Sequence, residues 1–110
     1  MLAYIAPNLV NVKLMKCGLL EAWDIALICR AAGLGLMIGG MVESPLAMAA
    51  AAHLAAGLGG FSFVDLDTPL WFARNPMRGV QFGRGGVYDL SRVKAGIGVV
   101  PRRWITAPGQ

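Results

Sequence analysis

Two short stretches limit the fold more than any other part of the chain: VNVKLMK at residues 10–16 and FVDLDT at residues 63–68. Both read as strands, because apolar β-formers dominate and side chains two apart share a face. In the first, Val10, Val12 and Leu14 fall on one side and Asn11, Lys13 and Met15 on the other. In the second, Val64 and Leu66 oppose Phe63, Asp65 and Asp67. An ionisable group buried without a partner is costly. Strands charged on one side only are therefore expected to turn the apolar side to a core and the charged side to a working cavity.

The first strand is expected over residues 9–15, and helical segments separate the strands. Gly18 precedes a helix expected over about 20–32, with Glu21 in its first turn and Arg30 in its last, as the helix dipole favours. Gly33 ends it. A strand follows at about 35–39, GLMIG, and then Ser44 and Pro45 suit the N-cap and first turn of an Ala-rich helix running to Leu58. A third strand is expected over about 61–66. After it come a short helical turn near 70–74 and turn-rich, hairpin-like sequence through Gly79, Gly83, Gly85 and Gly86. Regular β–α alternation with apolar strands predicts an α/β fold, a parallel sheet with its helices packed outside.

With 110 residues, 56% of them hydrophobic and 15% charged, the chain can fill one core but is short for two domains. Its net charge of +4 comes mainly from the last third, where Arg74, Arg78, Arg84, Arg92, Lys94, Arg102 and Arg103 face the single acid Asp89. These cations are scattered and lack an aromatic platform, so a solvated basic surface is expected and nucleic-acid binding is not. Cys17 and Cys29 stand too far apart for a CxxC pair, and one histidine offers little help with a metal. Reduced thiols in a cytoplasmic protein are the expectation. No positive segment precedes the apolar start, so no signal peptide is expected. Glu43, Pro45 and His53 interrupt the apolar run over 34–60, which argues against a membrane span.

VNVKLMKCG, LMIGGMVES, AAAAHLAA and FVDLDTP, in this order and spacing, resemble the last three β/α units of the enolase superfamily barrel. Within it they look most like the muconate-lactonizing subgroup and the dipeptide epimerases of the L-Ala-D/L-Glu type. Asn75-Pro76, Arg78-Gly79 and Gly96-Ile97-Gly98 are similar to the family's tail after the barrel. The resemblance implies that residues 1–99 are the C-terminal part of a TIM-type (β/α) barrel, about strands six to eight with their helices. Residues 100–110 are then a basic tail.

The resemblance also implies an activity: Mg²⁺-dependent abstraction of the proton next to a carboxylate, chemistry for which this superfamily is a standard case. Lys13 corresponds to one of two acid/base residues flanking the substrate α-carbon, a role that needs a neutral amine. Asp65 and Asp67 match the pair that holds the substrate's α-ammonium group, a charge-assisted contact. Met41 and Glu43, where the middle strand opens, are candidate substrate contacts; Glu43 would also be favoured by the adjacent helix N-terminus alone. Lys16 and His53 are expected to be structural or exposed.

There are departures from the family pattern. Leu19 follows Gly18 where a second glycine is usual, and Gly40 stands where a cysteine is common. Trp71, Phe72 and Arg74 replace small or acidic residues, which leaves substrate choice open. A complete barrel needs about 250 residues, and nothing here matches the three acidic Mg²⁺ ligands or the second catalytic lysine. No metal ligand is therefore expected in this chain, and the Mg²⁺ ligands are expected upstream. Alone, the chain is expected to be inactive, with open strand edges that favour association or a homo-oligomer. The expected function is racemisation or epimerisation of a dipeptide or N-substituted amino acid, with small-molecule substrates and neither nucleic acid nor membrane as partner. A muconate-type cycloisomerase and an o-succinylbenzoate synthase-like lyase remain rivals. So does a non-catalytic α/β fragment that needs a partner chain.

Overall fold

The computed structural model describes residues 7–80 and 83–103. In chain order these form β1 (Leu9–Lys13), α1 (Leu14–Ala31), β2 (Gly35–Gly39), α2 (Pro45–Leu58), β3 (Phe63–Val64), β4 (Met77–Gly79) and β5 (Val99–Pro101). Two 3-10 turns, Thr68–Trp71 and Arg84–Gly86, sit between β3 and β5. β1, β2 and β3 make a parallel sheet in that order, with Val12 level with Ile38 and Ile38 level with Val64.

The apolar faces read from the sequence form the core. Val12, Leu36, Ile38 and Leu66 pack against Ala22, Ala26 and Cys29 of α1 and Met48, Ala51 and Ala52 of α2. On α1 the buried residues recur at the spacing of one helical face, and alanines there let the helix lie close to the sheet. α2 touches α1, β2, the 3-10 turn and β5, so it is covered on several sides. That explains why its sequence is apolar nearly all round. Ser44 caps it by accepting the Ala47 N–H at 3.4 Å, with Pro45 at the first helical position. At its other end the Arg30 guanidinium donates to the carbonyls of Leu58 and Gly59. A cation there meets the negative end of the helix dipole and fastens α1 to α2.

Three expectations need correction. The first strand stops at Lys13 rather than residue 15, because Lys13–Gly39 is the last pair of its ladder. Beyond it Leu14–Cys17 coil into a helical turn, and the Cys17 thiol donates to the Lys13 carbonyl at 3.4 Å. Gly18, at φ 74° and ψ 178°, separates this turn from the longer helix, so Met15 leaves the strand pattern and is exposed. The third strand is shorter than 61–66: Phe63–Val64 pair with β2, flanked by Ser62 N–H to the Leu36 carbonyl and Asp65 N–H to the Ile38 carbonyl. The helical turn lies at Thr68–Trp71, earlier than 70–74, where Pro69 favours it.

The hairpin-like stretch pairs at long range. β4 runs antiparallel to β5, with Arg78 level with Val100. Arg102 continues the tie, its N–H donating to Pro76 and its guanidinium Nε to the Asn75 carbonyl. β5 thus crosses the expected boundary between residues 99 and 100. His53 is half-buried, and its Nε2 lies 3.0 Å from the Ile97 carbonyl, joining α2 to the segment before β5. A carbonyl only accepts, so that nitrogen carries the proton.

Candidate active site

Opposite the helix-covered face, the sheet presents a second face with no helix on it among the described residues. Asn11, Met37 and Phe63 share one level across the three strands. The next level holds Lys13 and Gly39, and Asp65 follows Val64 beside them. Val12 and Ile38, one residue earlier, are buried on the opposite side, so alternation aims Lys13 away from the helices. Lys13 and Asp65 stand on opposite sides of β2, about 10 Å apart across two strand spacings.

In that interval Gly39 leaves room for the Asn11 side chain. A Cβ there would stand 2.7 Å from Asn11 Oδ1, so the asparagine amide occupies the space a side chain on β2 would take. Lys13 Nζ lies 3.7 Å from the Met41 sulfur, a weak acceptor, just beyond the end of β2. Met41 itself is exposed.

Glu43 is the one buried charged residue in this neighbourhood. Its Oε2 accepts the Met41 N–H at 2.8 Å. Its own backbone is held by Thr68, whose hydroxyl donates to the Glu43 carbonyl at 3.2 Å and faces the Glu43 N–H at 3.4 Å. The carboxylate thus shapes the loop after β2 that brings Met41 to Lys13.

Asp65 is exposed at the end of β3, and Asp67 is half-buried where the 3-10 turn begins. Between them, the Leu66 carbonyl accepts a hydrogen bond from the Tyr88 hydroxyl at 2.9 Å. Burial pushes the Tyr88 phenol up from 10.0 to about 12, and the Asp67 carboxylate adds to this. Tyr88 also lines an apolar cavity of about 400 Å³ with Ala52, Phe61, Val64 and Leu66. That cavity lies on the helix-covered side and takes no part in the face that carries Lys13.

The structure thus brings Lys13, Met41 and Asp65 to one end of the sheet, with Asp67 one turn further on. Asn11, Thr68 and Tyr88 were not singled out from the sequence. Strand alternation offers a signal for Asn11, two residues before Lys13; Thr68 and Tyr88 act through contacts that no local pattern displays. Among the described residues, no cluster of three or more His, Cys, Asp or Glu side chains could hold a metal ion. No helix among them is long and apolar enough to cross a membrane.

Residues 1–104 match the family described as enolase C-terminal domain-like. The chain belongs to that family. Its sheet and helices are accordingly the C-terminal part of an α/β barrel. An aromatic dipeptide epimerase of Herpetosiphon aurantiacus is 55% identical over 92 residues, covering 84% of this chain and 26% of the relative. A mandelate racemase/muconate lactonizing enzyme of Roseiflexus superimposes with a TM-score of 0.82 at 61% identity, covering 86% of this chain and 28% of that one. A dipeptide epimerase of Cytophaga hutchinsonii, solved with Mg and the dipeptide D-Ala-L-Val, gives 0.80 at 32% identity, covering 87% and 26%. The enolase-like chain therefore spans about a quarter of the length of these relatives.

Proposed function

We propose that this chain is the part of a cytoplasmic dipeptide epimerase that supplies one acid/base lysine and the anchor for the substrate's amino group. The observation that supports this reading is the register of the sheet: Lys13 is level with Gly39, and Asp65 comes one residue after the Ile38–Val64 pair, with Gly39 and the Asn11 amide between them. A gap of about 10 Å suits a dipeptide whose α-carbon faces the amine while its ammonium meets a carboxylate. Asp65 and Asp67 together offer more acceptor capacity than one ammonium needs.

In this mechanism the Lys13 amine, in its neutral form, removes the α-proton next to the dipeptide's terminal carboxylate. The electrons of the broken C–H bond move onto that carboxylate as an enediolate. Return of a proton to the opposite face, from an acid elsewhere in the barrel, inverts the centre. Met41 packs beside the amine and limits water around it, and Glu43 holds Met41 in place. The Mg present in the Cytophaga relative finds no matching ligand cluster among the described residues, so a Mg²⁺ requirement would be met by residues outside this chain. Muconate-type and o-succinylbenzoate-type reactions offer the aspartates no ammonium, which favours the dipeptide.

The test is a completed barrel in which this chain replaces the matching quarter of the Herpetosiphon epimerase. Incubated in D₂O with a hydrophobic dipeptide, it should exchange the α-hydrogen, as read by proton NMR. Lys13→Ala should abolish exchange on the face that lysine serves. Undiminished exchange would remove Lys13 from the chemistry.

A further inference from the structure

We infer that Tyr88 is a positioning residue for Asp67 of the Asp65/Asp67 pair, acting through its hydrogen bond to the Leu66 carbonyl. This rests on the proposed role of the two aspartates and adds the element that orients Asp67.

The ladder between β2 and β3 ends at the bond from Asp65 N–H to the Ile38 carbonyl. Past that point the chain turns, with Asp67 at φ −82° and ψ −8° and its carbonyl accepting from Leu70 N–H at 2.9 Å. The peptide group linking Leu66 to Asp67 lies between these two ties. Its carbonyl is the one that Tyr88 holds, at 2.9 Å. A peptide unit is planar, so fixing the carbonyl fixes the N–H of the same plane and the line from Cα66 to Cα67 from which the Asp67 side chain departs; Asp65 is set separately, by its own N–H to the Ile38 carbonyl. Leu66 is 1% exposed, which keeps water from replacing the tyrosine hydroxyl. Tyr88 itself is packed against the same core, so its ring is located by burial before its hydroxyl makes the bond. The tyrosine reaches the loop from the helix-covered side. Its route to the substrate, in this reading, runs through Asp67.

Tyr88→Phe in the completed barrel removes the hydroxyl and keeps the ring. Loss of one such bond corresponds to a rise in dipeptide KM of roughly three- to tenfold, with kcat within about twofold. The discriminating measurement is a double-mutant cycle with Asp67→Asn. If Tyr88 acts through Asp67, Y88F adds little to the KM of D67N. Placing 4-aminophenylalanine at position 88, which restores a donor at the same place, should bring KM back toward the parent value.

An equal KM increase in both backgrounds, an unchanged KM, or a Y88F protein that does not fold makes the hydroxyl a general stability contact and overturns the inference. Should D65N and Asp67→Asn both leave KM unchanged, the assignment of the aspartates to the ammonium fails first and the role of Tyr88 falls with it. A KM raised by the asparagine variants but not by Y88F sinks the tyrosine alone.

Discussion

Gly39→Ala should damage catalysis while leaving stability nearly untouched. Gly39 is not among the residues at positive φ, so alanine meets no backbone strain there. The added methyl would stand 2.7 Å from Asn11 Oδ1, 0.7 Å inside the 3.4 Å at which ordinary contact begins (3.4 minus 2.7). The obstacle is the end of a flexible side chain, and turning it off its rotamer costs about 0.5–1.5 kcal/mol. Reduced freedom of the unfolded chain returns about 0.4–1 kcal/mol. The two terms nearly cancel, so the urea midpoint of the completed barrel should move by less than about 1 kcal/mol in stability. The amide, however, stands over Gly39 between Lys13 and Asp65, so displacing it reshapes the floor of that interval. Misplacement approaching 1 Å in such a site can cost about a hundredfold, so a shift of 0.7 Å should lower kcat/KM by tenfold or more. Deuterium exchange and denaturant unfolding measured on the same preparation separate the two effects. A loss of more than about 3 kcal/mol would mean that the methyl strikes packed structure rather than a movable side chain. Unchanged turnover would mean that the open face of β2 is not where substrate lies.

Further outcomes follow from other contacts. Arg30→Met removes both bonds to the end of α2 and should lower stability by about 1–2 kcal/mol, seen as an earlier urea midpoint; an unchanged midpoint would make the clamp dispensable. Tyr88 is neutral in the folded chain up to about pH 12, whereas an unfolded tyrosine ionises near 10.0. Its contribution is thus complete below pH 10.0 and lost as pH rises toward 12. Partial exposure reduces that contribution to about 1 kcal/mol, and Y88F should flatten this part of the stability–pH curve. The isolated chain should self-associate through α1, where Leu20 is 82% and Ile28 66% exposed on a stripe with Trp23 and Leu27. Leu20→Lys combined with Ile28→Lys should lower its sedimentation coefficient toward that of a monomer; identical sedimentation would place the contact elsewhere.

The sequence carried the order of elements and the sidedness of the strands because both depend on local periodicity. Val12 and Ile38 are buried, Lys13 is half-buried and Asp65 exposed, in line with alternation; Val64, read as sharing the core face of Leu66, is exposed because β3 is the edge of the described sheet. Ser44 and Pro45 marked the start of α2 because capping is chemistry of adjacent residues. Strand lengths were harder to read. Where β1 stops depends on where β2 stops pairing with it, and Leu14 and Met15 have no local feature that announces a missing partner. The pairing of β4 with β5 escaped notice for the same reason, since glycines near Gly83 suggest a hairpin closer in sequence. At the site, the bonds from Thr68 to Glu43 and from Tyr88 to Leu66 span 25 and 22 residues, beyond the reach of any motif.

The strand between Lys13 and Asp65 acts as a ruler. Hydrogen-bonded strands keep a constant spacing, so the separation of the Lys13 and Asp65 backbones is not tuned by small increments. It changes only by inserting or deleting a whole stave. Under the proposed reading, differences in dipeptide size then fall to the side chains and to the loops at the rim, such as those carrying Met41 and Trp71.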